Sequence, residues 1–554
     1  MVTQWTFITA RRKVLPAWTS LIWRWFILRR IGDEVDTVDV AIVGSGASGS
    51  VLAAKLSQAG KTVVILEGGP ERKAGDLYSS QIWARRIKWF GPRTDTGGAD
   101  PISVNFGSGW GTGGASLHHY AVWLRRHADD FDMKSRFGQG LDWPISYEDL
   151  RPHYDQVQKE VGISGDASAE VWRPEGDPYP MPALRIFRQA ALIKQGFSKQ
   201  GLRTSPLPLA INSVEYHGRP ACLYDGWCDA GCAILALANP LAVYLPQARK
   251  AGAEIRHRSY VTRVLASERG GQVTGVEYYD SAGQRRIQPA RVVIVAAYSF
   301  QTPRILLNSA TSRQRSGLAN SSGLVGKYMM THSSANIFGF FRDETENYRG
   351  TVGGQLLSQE EYTKDPRRGY VNSTQWLIGN ALKPNDLLGI AGSRPDLFGN
   401  ELHRFMQTAA KHLATMTFVG ENLPDITNEL VLDRDKHDRF GFPLARATHK
   451  YSQADIACYE AGIKQGQAIF KAAGAHDVWA SNRVRMHAMG GVIMGNDRKT
   501  SVTNSYGQTH DIPNLFVAGP SLFPTSAAVN PCFTIHAVTL RAAKHLVENW
   551  SSFS

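Results

Sequence analysis

Two stretches of the chain carry residue types at spacings that can do chemistry. Gly44-x-Gly46-x-x-Gly49 follows the β-branched run Val38–Val43, and Glu67 closes the next apolar run, Thr62–Leu66. Glycines at these positions permit a tight turn and close backbone approach, so a pyrophosphate can rest on the first amides of the following helix. A carboxylate at the end of the second strand can accept hydrogen bonds from ribose hydroxyls. The other stretch is CLYDGWCDAGC, which gathers Cys222, Cys228 and Cys232 within eleven positions of a chain that has five cysteines. Three thiols this close can hold a metal, close a disulfide or pack as free buried groups, and spacing alone leaves these open.

The elements that would position these residues follow from periodicity. VDVAIVGSGASGSVLAAKLSQAGKTVVILEGG reads as strand, glycine turn, helix (Val51–Leu56 has helical spacing) and strand, a βαβ unit in a parallel sheet. RVLASERGGQVTGVEYYD through RRIQPARVVIVAA is a second sheet pattern, with Arg291–Ala297 as a buried strand returning to the core. Residues 335–480 have no dinucleotide signature and mix strands, glycine turns and long helices such as Gln453–Ala472, which assigns them to a substrate-facing lobe. The final stretch, NLFVAGPSLFPTSAAVNPCFTIHAVTLRAAKHL, is strand, loop and helix and should rejoin the first lobe. The expected class is α/β with an α+β second lobe: a Rossmann-like dinucleotide domain beside a substrate domain built on an antiparallel sheet. Its expected divisions are an arm (1–34), the dinucleotide domain (35–334, with an inserted loop 140–235), the substrate domain (335–480) and the dinucleotide domain's C-terminal part (481–554).

At 554 residues, 43% hydrophobic and 20% charged, the chain can bury a large core in more than one lobe. Five cysteines are too few for a disulfide scaffold, and their odd number favours a reducing compartment. The net charge of +13 attracts polyanions, anionic lipid or acidic partners, but Lys and Arg form no long run, so nucleic acid is not an expected partner. The arm MVTQWTFITARRKVLPAWTSLIWRWFILRR interleaves Trp and Arg, and its longest uncharged internal run, Val14–Trp23, is ten residues. A bilayer span needs about 20 apolar residues. Arg11 and Arg12 resemble a twin-arginine signal, but Arg24 interrupts the apolar stretch, and no small-residue cleavage site follows. The arm suits either a helix lying in a membrane interface or a segment packed on the protein's own surface. The expected location is the cytoplasm or the membrane periphery, with no transmembrane helix and no signal peptide.

FAD and NAD both use the βαβ glycine turn. The further glycine-rich text FGSGWGTGGASLHHYAVWLR, residues 106–125, favours the extended flavin dinucleotide, because such a loop can lie flat against a second portion of the cofactor. With GTGGASLHHY, WPISYEDLRPHY (143–154), VVIVAAYSFQTPRILLNSA (292–310) and the block from HAMGGVIMG through NSYGQTHDIPNLFVAGPSLFPTSAAVNPCFTIHA, in this order, the chain resembles the glucose–methanol–choline (GMC) flavoprotein oxidoreductases over about residues 35–554.

The resemblance implies bound FAD and oxidation of an alcohol. It makes His487 the active-site base and Asn530 its partner: a neutral imidazole takes the hydroxyl proton while a hydride passes to flavin N5. It adds Gly113, Gly114, Val261, Gly519 and Pro531 to the cofactor-binding set of Gly44, Gly46, Gly49 and Glu67. His118 stands where some members attach the flavin covalently, and His119 follows it. His332 and His510 match family text without an assigned role. In one branch, which includes membrane-associated bacterial sugar and polyol dehydrogenases, three cysteines spaced like Cys222, Cys228 and Cys232 hold a [3Fe-4S] cluster. Here AIL follows Cys232, and Asp225 and Asp229 crowd the loop, so a disulfide, a zinc site or free thiols stand beside the cluster as alternatives. Cys458 and Cys532 read as ordinary buried thiols. The expected activity is dehydrogenation of a sugar, sugar acid or polyol, with electrons passed to a quinone or cytochrome. An oxygen-using oxidase is the alternative, and a non-catalytic flavoprotein or an NAD enzyme is less favoured. Glu421, in GENLPDITN, is expected to approach the flavin.

Overall fold

The computed structural model describes residues 36–88, 91–102, 108–268 and 271–553. The N-terminal arm, and with it the expected membrane-interface helix, lies outside the described residues.

The strand Val38–Val43 pairs in parallel on both sides, with Val63–Leu66 and with Arg285–Val295. A strand flanked this way is covered on both faces, which is why Val40, Ala41, Ile42 and Val43 are all buried. Glu254–Arg256 extends the sheet in parallel beyond Val63–Leu66. Arg285–Val295 has two further partners. Its first half pairs antiparallel with Val273–Tyr279, while its last three residues also pair in parallel with Leu515–Val517. The last strand of the chain thus closes the first sheet, as its apolar pattern predicts. The helix Ala47–Gln58 packs on this sheet and against the C-terminal helix Cys532–Glu548.

The second sheet is antiparallel. Its order is His476–Ala480, Met330–Phe340, Leu413–Gly420, Thr374–Ile378, Leu356–Ser358, Ser205–Pro206. Ile337, Trp376, Ile378, Met416 and Phe418 form a core with residues of the helices Arg188–Lys199 and Gln453–Ala472. The latter helix spans the residues predicted from spacing, and Ser452 caps it by accepting from the Asp455 amide at 3.1 Å. Leu357, Leu377 and Val419 belong instead to the core of the first sheet.

Sheet membership runs across the expected divisions. The antiparallel sheet takes in Ser205–Pro206 and Met330–Phe340, and it recruits Val484–Met489, which pairs with Met330–Phe340. The strand carrying His487 therefore belongs to the second sheet rather than to the C-terminal part of the first. Among the described residues, no helix is long and apolar enough to cross a membrane.

Candidate active site

The glycine turn is built by close approach. Gly44 has φ +99°, and a Cβ on Gly49 would stand 1.9 Å from the Gly44 carbonyl oxygen. A Cβ on Gly46, by contrast, would meet no protein atom nearer than 3.9 Å, which leaves room at the start of helix Ala47–Gln58 for a phosphate to reach its amides. The second glycine-rich segment lies alongside: the Gly113 amide donates to Ser45 Oγ at 3.1 Å, and a Cβ on Gly114 would be 3.4 Å from Gly46 Cα. Buried Glu67 does more than the sequence predicts. Its Oε2 accepts from Ser45 Oγ (2.6 Å) and the Ser45 amide (3.1 Å), and its Oε1 accepts from the Gly69 amide (2.8 Å). It ties the turn to the second strand, and a carboxylate still has lone-pair capacity for a ribose hydroxyl. The Ser259 amide donates to the Glu67 carbonyl oxygen at 2.8 Å, which brings Val261 to the same side. A Cβ on Gly519 would be 3.6 Å from Ser48 Oγ. These residues form a cradle that fits a dinucleotide.

His487 sits in left-handed backbone, φ +63°, at an irregularity where the pairing of Val484–Met489 with Met330–Phe340 shifts between Met486 and Met489. A β-bulge of this kind re-aims a side chain, and a non-glycine residue held at positive φ costs about 1–3 kcal/mol. Gly490 makes room for the shift, since a Cβ there would lie 1.9 Å from the Tyr328 carbonyl oxygen. The imidazole is held from both ends. Its Nδ1 is 2.9 Å from His332 Nδ1, and its Nε2 is 3.4 Å from Asn530 Nδ2. Burial pushes its pKa down to about 4, so the ring is neutral at ordinary pH.

Asn530 lies just before Pro531, the N-cap of Cys532–Glu548. Its Oδ1 accepts from Gln375 Nε2 at 3.2 Å, and Gln375 Oε1 accepts from Gln359 Nε2 at 3.1 Å. The segment leading to Asn530 is braced by buried Arg126, which donates to the carbonyl oxygens of Thr525 and Ser526 at 2.9 Å each. Asn422 clamps the same segment to strand Met330–Phe340. It donates its amide to Ser526 Oγ (2.9 Å) and accepts at Oδ1 from the Thr331 amide (3.0 Å).

Nothing in the local sequence marks Lys364, yet it is wholly buried between Asp130 (3.0 Å) and Glu421 (2.8 Å). Glu421, expected to approach the flavin, serves in this buried charge cluster. The Asp130 carbonyl oxygen also accepts from Thr525 Oγ1 at 3.1 Å, so the cluster underlies the Asn530 segment. Replacing Lys364 with Met leaves two buried carboxylates without their cation and should cost about 3–5 kcal/mol. The denaturant midpoint measures this, and an unchanged midpoint would contradict the role given to the cluster.

The expectation of a [3Fe-4S] site at Cys222, Cys228 and Cys232 is not supported. All five cysteines are free, and among the described residues no group of three or more His, Cys, Asp or Glu could hold a metal ion. Burial raises the Cys222 thiol to about 11 and raises Cys228 and Cys232 as well, and Asp225 and Asp229 push in the same direction. Asp229 is paired with Lys383 at 3.3 Å. His118 ends the turn Gly114–Leu117 and is nearly buried. His119 is taken up by backbone: its Nε2 is 2.8 Å from the Ala238 carbonyl oxygen, and its Nδ1 accepts from the Ala121 amide at 3.2 Å. His510 bonds Ser501 Oγ at 2.9 Å in a turn.

A parallel dinucleotide-type sheet set against an antiparallel sheet, with a half-buried imidazole beside a buried amide, is the arrangement of an FAD-dependent oxidoreductase of alcohols. The GMC oxidoreductase profiles match residues 38–334 and 424–539, and the chain belongs to this family. It is 33% identical to 2-methyl-1,2-propanediol dehydrogenase of Mycolicibacterium austroafricanum over 94% of this chain and 96% of that protein. It is 29% identical to the fructose dehydrogenase large subunit of Gluconobacter japonicus over 94% and 99% of the two chains. Formate oxidase of Aspergillus oryzae has the same fold, with TM-score 0.68, 16% identity and coverage of 94% of this chain and 100% of that one.

Proposed function

We propose that the chain dehydrogenates a CH–OH group of a small polyol, sugar or sugar acid, with His487 as the base and Asn530 as its hydrogen-bonding partner. Electrons then pass to a quinone or cytochrome rather than to oxygen. The observation that carries the reading is the imidazole of His487, half-buried and held at positive φ between His332 and the Asn530 amide. Gly44, Gly46, Gly49, Glu67, Gly113, Gly114, Val261, Gly519 and Pro531 would hold the FAD, with His118 beside the second glycine segment. FAD, when bound, supplies the hydride acceptor.

The protein's own part is proton handling and orientation. An alcohol oxygen set beside Nε2 of His487 and Nδ2 of Asn530 would give its proton to the imidazole and accept a hydrogen bond from the amide. The amide has no competing basic nitrogen, so it orients without taking the proton. The sheet face that carries Gln375 also presents Ser334, Asn336 and Thr417, with Thr417 Oγ1 donating to Asn336 Oδ1 at 2.8 Å. A face this rich in hydroxyls and amides supports a polyhydroxylated substrate, as do the names of the dehydrogenase relatives.

A panel of diols, aldoses, polyols and sugar acids tests the reading, scored by reduction of an artificial dye and by peroxide yield. Dye reduction without matching peroxide is expected. Peroxide formed in step with substrate consumption would make the chain an oxidase.

The pH profile follows from the depressed pKa of His487. The base is competent above about pH 4, so the acid limb of kcat/KM should lie near 4 rather than at the free-imidazole value of 6.5. The sign for stability is the same. The unfolded chain takes up the proton first, so this histidine's contribution is complete above pH 6.5 and is lost as the pH falls towards 4. An acid limb at or above 6.5 would contradict a buried neutral base.

A further inference from the structure

We infer that His332 is a positioning residue that fixes the tautomer of His487, holding the proton on Nδ1 so that Nε2 presents its lone pair to the substrate. The inference rests on the base role proposed for His487 and goes beyond it.

The argument lies in one hydrogen-bonded row. Gln359 Nε2 donates to Gln375 Oε1 (3.1 Å), and Gln375 Nε2 donates to Asn530 Oδ1 (3.2 Å). That leaves Asn530 Nδ2 facing His487 Nε2 at 3.4 Å. An amide nitrogen can only donate, so with the amides turned this way His487 Nε2 is the unprotonated nitrogen. The proton of the neutral ring is then on Nδ1, which faces His332 Nδ1 at 2.9 Å. His332 Nδ1 must accept, so its own proton is on Nε2. That nitrogen is 3.5 Å from the Ser526 carbonyl oxygen, and the Ala527 carbonyl also faces this ring. Carbonyl oxygens only accept, so the His332 end fixes the direction of donation, and the amides of Gln359, Gln375 and Asn530, which can turn over about their last bond, align with it.

The opposite arrangement fails at His332. If its Nδ1 donated, its bare Nε2 would face carbonyl oxygens, placing acceptor against acceptor in a wholly buried site. Protonating both nitrogens of His332 is opposed by burial, by the neighbouring His487 ring and by the buried Arg126 guanidinium. His332 therefore stays neutral as an acceptor. When the alcohol O–H bond breaks and an Nε2–H bond forms on His487, the imidazolium produced keeps its Nδ1–H bond to His332.

Strand pairing supplies the geometry. His332 lies opposite Met486 in the register, immediately before the shift that carries His487. The two rings stand nearly perpendicular, at 82°, with centroids 5.0 Å apart.

The test reads the tautomer directly in the FAD-containing enzyme. Long-range proton–nitrogen correlation on protein labelled with 15N-histidine identifies His487 by the signals lost in His487→Asn. The expected result is a protonated Nδ1 and a bare Nε2. In His332→Leu, His487 should shift to the Nε2-protonated or a mixed form. His332→Asn, whose side-chain oxygen can replace Nδ1 as acceptor, should restore the original form. Anaerobic flavin reduction by 2-methyl-1,2-propanediol should fall about 100-fold or more in His332→Leu, with KM little changed, and recover in His332→Asn. An Nε2-protonated His487 in the unaltered enzyme, or an unchanged tautomer in His332→Leu, would overturn the inference. If the tautomer is as stated but His487→Asn reduces flavin normally, the base reading fails while the positioning of the ring stands.

Discussion

His487→Asn should slow anaerobic reduction of the flavin by alcohol roughly 100- to 10,000-fold, the range over which a positioned base contributes. Asparagine suits the site because it tolerates the left-handed conformation that His487 adopts at φ +63°, so the backbone shift can persist. Flavin content should therefore be retained, and the loss should fall on kcat more than on KM. Stopped-flow reduction at saturating substrate measures this. A loss of less than tenfold would remove His487 from the chemistry.

Gly49→Ala should yield a destabilised protein without flavin. The added Cβ would lie 1.9 Å from the Gly44 carbonyl oxygen, a backbone atom with no rotamer to change, so the turn must part from the helix it opens. The amides that would receive the pyrophosphate move with it. Gly46→Ala is the informative companion. Its Cβ would meet only the Gly113 carbonyl oxygen at 3.9 Å, so the protein itself accommodates the methyl group. The space filled is that of the ligand, and Gly46→Ala should lower FAD affinity while leaving the thermal midpoint of the flavin-free chain near its original value. Visible absorbance and thermal melts of both variants decide the matter. A yellow, stable Gly49→Ala protein would refute the placement of the cofactor.

What was legible in the chain was what local spacing encodes. The βαβ unit shows itself through β-branched runs on either side of a glycine turn, and the helix Gln453–Ala472 through its length and spacing. Ordered motifs marked His487 and Asn530, which the fold brings together. The partners of these residues were hidden because pairing across sheets supplies them. His332 is 155 positions from His487 and reaches it through antiparallel register. Lys364 sits in the polar text EEYTKDPRR, which reads as a solvated loop, and its carboxylates come from positions 130 and 421. The cysteine loop stayed open for a related reason. Spacing along a chain does not fix where sulfur atoms point or how far burial favours the thiol, and here the three remain free. The pairing of Val484–Met489 with Met330–Phe340 was not legible because no change of composition marks where a strand leaves one sheet for another.

The most direct measurement is an anaerobic titration of the purified full chain with 2-methyl-1,2-propanediol, D-fructose and further polyols while the visible spectrum is followed. A yellow protein whose flavin band bleaches on addition of one of these alcohols, and returns when an artificial acceptor is added, is the predicted result. A colourless protein that takes up no FAD, or a flavin band that dithionite bleaches and no alcohol does, would contradict it.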